Sequence, residues 1–210
     1  MKILCSMMLA ALALTHVHAD QITIQQGART FGRTQSAAEI ERNAQRWAAP
    51  ESVGTTPFMF SIFAPAQAPQ ANWDVKGLRI GAFYSECVNF DGLDLNVLVG
   101  RATGHGNGLQ IAGVVNYIDG SSVGLQIAPV NIVDGGFAGV QIGVANYAGT
   151  LPGAVGKGWQ IGVFNGATTF KGFQFGVINY CEMMVGVQVG LVNIIERKDW
   201  SFLPIINCAF

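Results

Sequence analysis

From Gly77 onward, apolar and polar residues alternate with a period of two, interrupted at regular intervals by clusters of Gly, Asp, Ser and Pro. Period two puts successive side chains on opposite faces of a strand, whereas a helix brings apolar residues back every three or four positions. The segments are near copies of one another. They begin at Gly77 (GLRIGAFYS), Gly92 (GLDLNVLVG), Gly108 (GLQIAGVVN), Gly124 (GLQIAPVN), Gly139 (GVQIGVAN), Gly158 (GWQIGVFN), Gly172 (GFQFGVIN) and Gly186 (GVQVGLVN), at steps of 15, 16, 16, 15, 19, 14 and 14 residues. Length varies in IDGSSV, VDGGFA and AGTLPGAVGK, which have the composition of turns. Counted by alternation, one face carries Leu, Ile, Val and then Asn. The other carries Gly, Gln, Gly, an apolar residue and often Tyr.

Outside the repeats, TTPFMFSIFAP reads as a further strand, AQAPQANWD as its connection, and Trp200 to Phe210 (WSFLPIINCAF) as a closing strand. Ser36 to Trp47 is a short amphipathic helix candidate stopped by Pro50. Lys2, the apolar run from Ile3 to Leu14 and the small-residue end Val17-His18-Ala19 have the form of a cleaved export signal. The chain therefore divides into a signal peptide (1–19), an N-terminal segment with the short helix (20–54) and a β-repeat domain (55–210). Cys5 follows Leu4, where a lipid-anchor signal needs a small residue, so no lipid anchor is expected.

Two all-β architectures fit a period near fifteen. In a repetitive up-and-down antiparallel β-barrel of about ten strands, each unit is one membrane-crossing strand and its turn. In a parallel β-solenoid each unit is one coil of about 15 residues, with Gln and Asn stacked in ladders. The barrel is the leading expectation. GxQxG is nearly symmetric about its Gln, so antiparallel neighbours keep that residue in one layer, and neither strand face has the Thr, Ser, Lys and Glu of a hydrated surface. An apolar outside facing lipid, with Gln and Gly inside, accounts for both faces. Pro129 speaks against closure, because it removes a ladder donor and belongs at an edge or bulge.

At these repeats the chain resembles a family of bacterial surface-repeat-containing proteins, of the spirochaete type, built from GLQIGLVN-like units. The resemblance spans Thr56 to Phe210 and includes the lead-in Pro65-Ala66-Gln67-Ala68-Pro69, the GLRI and GLDL first units and the FLPIIN ending. It implies a cell-surface or outer-membrane location, and no catalytic residues.

Composition narrows the chemistry. Charged residues make up only 12% of the chain and the net charge is −1, which gives nucleic-acid binding no electrostatic support. Three cysteines follow the signal, Cys87, Cys181 and Cys208, without metal or redox spacing, and His105 is the only histidine beyond it. No cofactor or metal is expected. By parity Cys87 falls on the Gln face and Cys181 on the Leu face, so the thiols are expected to be free. His105 lies in the turn GHGNG without a nucleophile motif, so no enzyme is expected.

The polar belt of the repeats is Arg79, Asp94, Gln110, Gln126, Gln141, Gln160, Gln174 and Gln188. Adjacent strands set Arg79 beside Asp94 as a buried or lumen-lining ion pair, and the belt reads as hydrogen-bonded filler rather than as a path for small polar solutes. The repeat Asn column is Asn116, Asn131, Asn146, Asn165, Asn179 and Asn193, placed at strand ends as turn-forming residues or, in a solenoid, as an internal ladder. Sugar binding through this column is a remote alternative. Tyr117, Tyr147 and Tyr180 follow it, as interface markers or as packing residues. The resulting expectation is a non-enzymatic surface or outer-membrane protein with membrane lipid as its partner. The alternative is a secreted solenoid that binds a host, cell-wall or protein partner.

Overall fold

The computed structural model describes residues 50–151 and 153–210. The export signal and the Ser36 to Trp47 helix lie outside the described residues. In chain order the strands are β1 (Gly54–Phe63), β2 (Ala66–Ala68), β3 (Trp73–Gly81), β4 (Tyr84–Cys87), β5 (Phe90–Asn96) and β6 (Val99–Ala102). They continue as β7 (Gly106–Ala112), β8 (Val115–Ile118), β9 (Ser122–Ile127), β10 (Val130–Val133), β11 (Phe137–Ile142) and β12 (Ala145–Ala148). The last four are β13 (Gly156–Ile161), β14 (Phe164–Phe175), β15 (Ile178–Ile195) and β16 (Phe202–Ala209).

The repeats coil in parallel; they do not run up and down. Gln110 pairs with Gln126 in a parallel ladder between β7 and β9, and Gln126 with Gln141 between β9 and β11. The fold is a β-solenoid of about nine turns with coils of about 15 residues, so the barrel expectation is corrected in favour of the alternative. The reason lies within each unit. In the units from Gly77 to Gly172 the first strand is followed by a two-residue bend and then a further strand, as in β9, Ala128-Pro129 and β10, whereas in the Gly186 unit β15 runs on without a break. One repeat therefore contributes two strands to two separate parallel ladders, joined through β14, rather than one continuous membrane-length strand. Pro129 sits in such a bend, where its missing N–H breaks no ladder, and its carbonyl accepts from Val144 and Ala145 of the next coil.

The bend also corrects the assignment of faces. Simple alternation puts Asn131 opposite Gln126, yet both are buried inside the coil, because the corner reorients the chain between them. Cys181, assigned to the Leu face, likewise points inward and is buried like Cys87.

Glycine makes the stacking possible. The first Gly of each unit, such as Gly139, has φ between +116° and +147°, a region that L side chains rarely adopt, and a Cβ there would strike the carbonyl oxygen of the matching Gly one coil earlier or, at Gly77, that of Pro57. The second Gly, such as Gly162, lies against the Asn column, and an added Cβ would strike Asn146 and the Gly143 carbonyl.

Inside, the core has two halves. The half away from the bends is apolar and built by size complementation. Phe90 and Phe137 point in where the short strand supplies Ala102 and Ala148, Gly106 leaves room for Ile118, and Gly156 leaves room for Phe170 of the next coil. The half next to the bends is polar and holds the amide columns. Antiparallel strands close both ends: β2 on β1, and β16 on β15. At the first end Gln67 of the Pro65 to Pro69 segment caps the open β4 edge, its side chain donating to the Glu86 carbonyl at 2.8 Å and accepting from the Glu86 N–H at 3.3 Å. The proline-flanked Gln thus substitutes for a missing strand.

Candidate functional site

The polar belt forms one continuous column. Gln126 donates from Nε2 to Oε1 of Gln110, Gln141 to Gln126, Gln160 to Gln141, Gln174 to Gln160 and Gln188 to Gln174, at 2.6–2.8 Å. All six glutamines are at most 1% exposed. Second N–H groups reach backbone carbonyls six residues on, as from Gln160 to Gly166. At the start of the column Gln110 donates to Asp94 at 3.3 Å.

Asp94 gives the ladder its direction. Arg79 grips both oxygens of Asp94, from Nε to Oδ1 at 2.7 Å and from Nη2 to Oδ2. Asn96 adds a bond to Oδ1 at 2.7 Å, so the carboxylate accepts from Arg79, Asn96 and Gln110 together. A carboxylate only accepts, so Gln110 must present its N–H groups to it, and every glutamine above follows in the same sense. Arg79 is fully buried, donates to the Arg101 carbonyl at 2.7 Å and lies 5.6 Å from the Phe90 ring centroid. Burial works against its charge, but Asp94 outweighs that cost and holds the guanidinium pKa above its ordinary value.

The Asn column runs beside it with the opposite polarity. Asn116 donates to Asn131, and so on up to Asn193, at 2.7–3.0 Å. Each Asn also donates to a strand-end carbonyl of the neighbouring coil, as Asn131 does to Ile142 and Asn146 to Ile161, both at 2.9 Å. These bonds pin the corners. All six are fully buried, so the column cannot meet a sugar, and the glutamines fill the core and leave no lumen for solutes.

Several buried residues of this network escape an inspection of the Gln and Asn repeats alone. Met59 and Asn207 extend the Gln column at its two ends, in register with Arg79 and Gln188. Asn96 stands where later units have Gly or Ala, and Gly100 stands where they have Asn. The Asn96 amide occupies the space over Gly100 and accepts from Ser85, so an amide from the neighbouring strand replaces the missing one. That exchange is visible in the unit GLDLNVLVG as a paired departure from the pattern. The columns end on one unpartnered acceptor each, Gln188 Oε1 and Asn116 Oδ1.

Next to the bends the amides lie inside and the outer surface is apolar. The bends, with Leu191 at the matching place in β15, form an edge along the coils, where Phe83, Val97, Val144, Val163, Val177 and Leu191 are 41–69% exposed. The Leu and Ile positions of the longer strands flank it on one side, and Val, Ala, Phe and Ile of the short strands on the other. Charged residues sit at the margins. Lys76, Lys157 and Lys171 precede the first Gly of their units, Glu86 and Arg101 lie on β4 and β6 level with Tyr117, and Asp119, Asp134, Glu182 and Glu196 follow the residues that end the coils' short-strand ladder. Tyr117 and Tyr180 lie between edge and acidic margin, with hydroxyls donating to Asp134 and Glu196. These bonds and partial burial push both phenol pKa values up. Tyr147 is half-buried at the matching position. His105 is exposed in its turn, its backbone N–H donating to Asn89 at 2.9 Å.

Cys87, Cys181 and Cys208 are free, and burial pushes the first two thiols up to about 11 and about 12. Among the described residues no group of three or more His, Cys, Asp and Glu is placed to hold a metal ion. No family model, curated protein or solved structure matches the chain.

Proposed function

We propose that this chain is a non-enzymatic protein of the bacterial cell surface that lies on a membrane, its solenoid axis parallel to the bilayer and its apolar edge set into the outer leaflet. The carrying observation is the cross-section next to the bends: buried amides line the inside of that edge while exposed Phe, Val and Leu form the ridge outside it. Large continuous apolar surface on a folded chain marks a contact site. The ridge extends over eight repeat units, which at about 4.8 Å per coil is roughly 38 Å. Lysines along one margin and carboxylates along the other, with the tyrosines, Glu86 and Arg101 at an intermediate level, follow the layout of an interfacial amphipathic helix. The export-signal pattern and the resemblance to surface-repeat proteins agree with this location.

Flotation with phosphatidylcholine vesicles tests the reading. The mature protein is expected to rise with the vesicles, and a variant carrying Val163→Asn, Val177→Asn and Leu191→Asn to stay below. Wild-type protein that stays below, whether as a monomer or as an assembly that hides the ridge against other copies, overturns it.

A further inference from the structure

The two ends of the lysine-bearing margin differ in charge. Near the start, Lys76 is in register with Asp91, and Asp91 with Asn107, whose amide donates to it at 2.8 Å, so that stretch is locally neutral. Farther along, Lys157 is in register with Lys171, and the neighbours on either side are Ala138 and Val185. Both lysines are exposed, and no described residue forms an ion pair with either. Like charges directly opposite on adjacent strands oppose folding, so this pair brings the solenoid no stability of its own.

Two residues along the same strands lies an aromatic patch. Trp159 and Phe173 are in register with ring centroids 5.7 Å apart, and Phe173 stacks on Phe175 at 6.5 Å. Trp159 and Phe175 are 56% and 52% exposed. Indole and phenyl rings that stop just short of two ammonium groups match the depth profile of a leaflet, with rings at the acyl boundary and cations at the phosphates.

We infer that Lys157 and Lys171, anchored beside Trp159, Phe173 and Phe175, bind the phosphates of anionic lipid headgroups and make the protein select anionic membrane surfaces. The inference rests on the membrane reading above and adds the lipid class. The unopposed lysine pair faces a negative surface, and its mutual repulsion is relieved there.

The experiment measures binding of the mature protein to vesicles of phosphatidylcholine alone and of phosphatidylcholine doped with phosphatidylglycerol, at low and high salt. Two lysines at a charged leaflet strengthen binding by about 30-fold, and this preference is expected to fade as salt is raised. The double variant Lys157→Gln and Lys171→Gln is expected to lose the preference while binding neutral vesicles as before, and Lys76→Gln to keep it. Both lysines are exposed, so an unchanged circular-dichroism melt accompanies the result. Equal wild-type affinity for both vesicle types at low salt, or a preference that survives the double variant, overturns the inference and leaves the membrane reading standing. Failure to bind either vesicle overturns the membrane reading and the inference with it.

Discussion

In the Gly77 and Gly92 units the central column holds a guanidinium and a carboxylate, whereas from Gly108 to Gly186 it holds amides alone. Both stretches are buried to the same degree, and both pair their polar groups along the axis except at the terminal Gln188 Oε1. They differ in what a single loss leaves behind. An amide column is a chain of neutral bonds, in which removing one member strands one donor and one acceptor. The charged pair strands an ion. It also does what amides cannot: it fixes the direction of donation, because Asp94 accepts and never donates.

The largest effect expected from breaking this contrast is at Asp94. Asp94→Leu leaves Arg79 buried without its counter-ion and removes the acceptor used by Gln110 and Asn96, so urea unfolding should show a loss of about 3–5 kcal/mol. The double change Arg79→Gln and Asp94→Gln extends the amide ladder downward and should recover most of that loss. A double variant as unstable as the single one would mean that the charge pair is not what Asp94 contributes.

Interrupting the amides should matter less, and by position. Gln141→Ala opens a cavity and strands Gln126 Oε1 and one Gln160 N–H, at a cost of about 2–4 kcal/mol. Gln188→Ala removes a residue whose Oε1 has no partner, and should cost about 1–2 kcal/mol. Equal losses at the two sites in thermal or urea unfolding would break the idea of a directional column. On the outer face, Tyr180→Phe deletes only the exposed bond to Glu196, and a shift within about 0.5 kcal/mol is expected.

The smallest perturbation reads the apolar half of the core at two places along the axis without changing it. With Cys87 and Cys181 buried and their thiols pushed up to about 11 and about 12, iodoacetamide at neutral pH should modify Cys208 alone in the folded solenoid. In urea Cys87 and Cys181 should react as well. Rapid modification of Cys181 in the native state would show that the apolar half opens more readily than its packing implies.

Much of this fold is legible in the chain itself. The strand period, the unit boundaries at glycine, the flanking strands and the adjacency of Arg79 and Asp94 all follow from local alternation and repeat spacing. Even the inverted cross-section, with Gln within and apolar residues without, can be read from the lack of a face suited to water. The direction in which neighbouring units pair is another matter. A strand alternates identically in parallel and antiparallel ladders, so the near-symmetric GxQxG served both, and only the two-residue bends decided for the coil. The same bends place Gln and Asn, five residues apart in most units, on one interior side, which alternation along a straight strand cannot foresee. Partnering across coils also lies beyond any one segment: Asn96 filling the space over Gly100, and Gln67 capping β4, depend on backbone brought together from distant positions. Side-chain periodicity is a property of a few consecutive residues, so the sequence could determine it. Hydrogen-bond partners are chosen only when the chain returns, and that choice belonged to the tertiary structure.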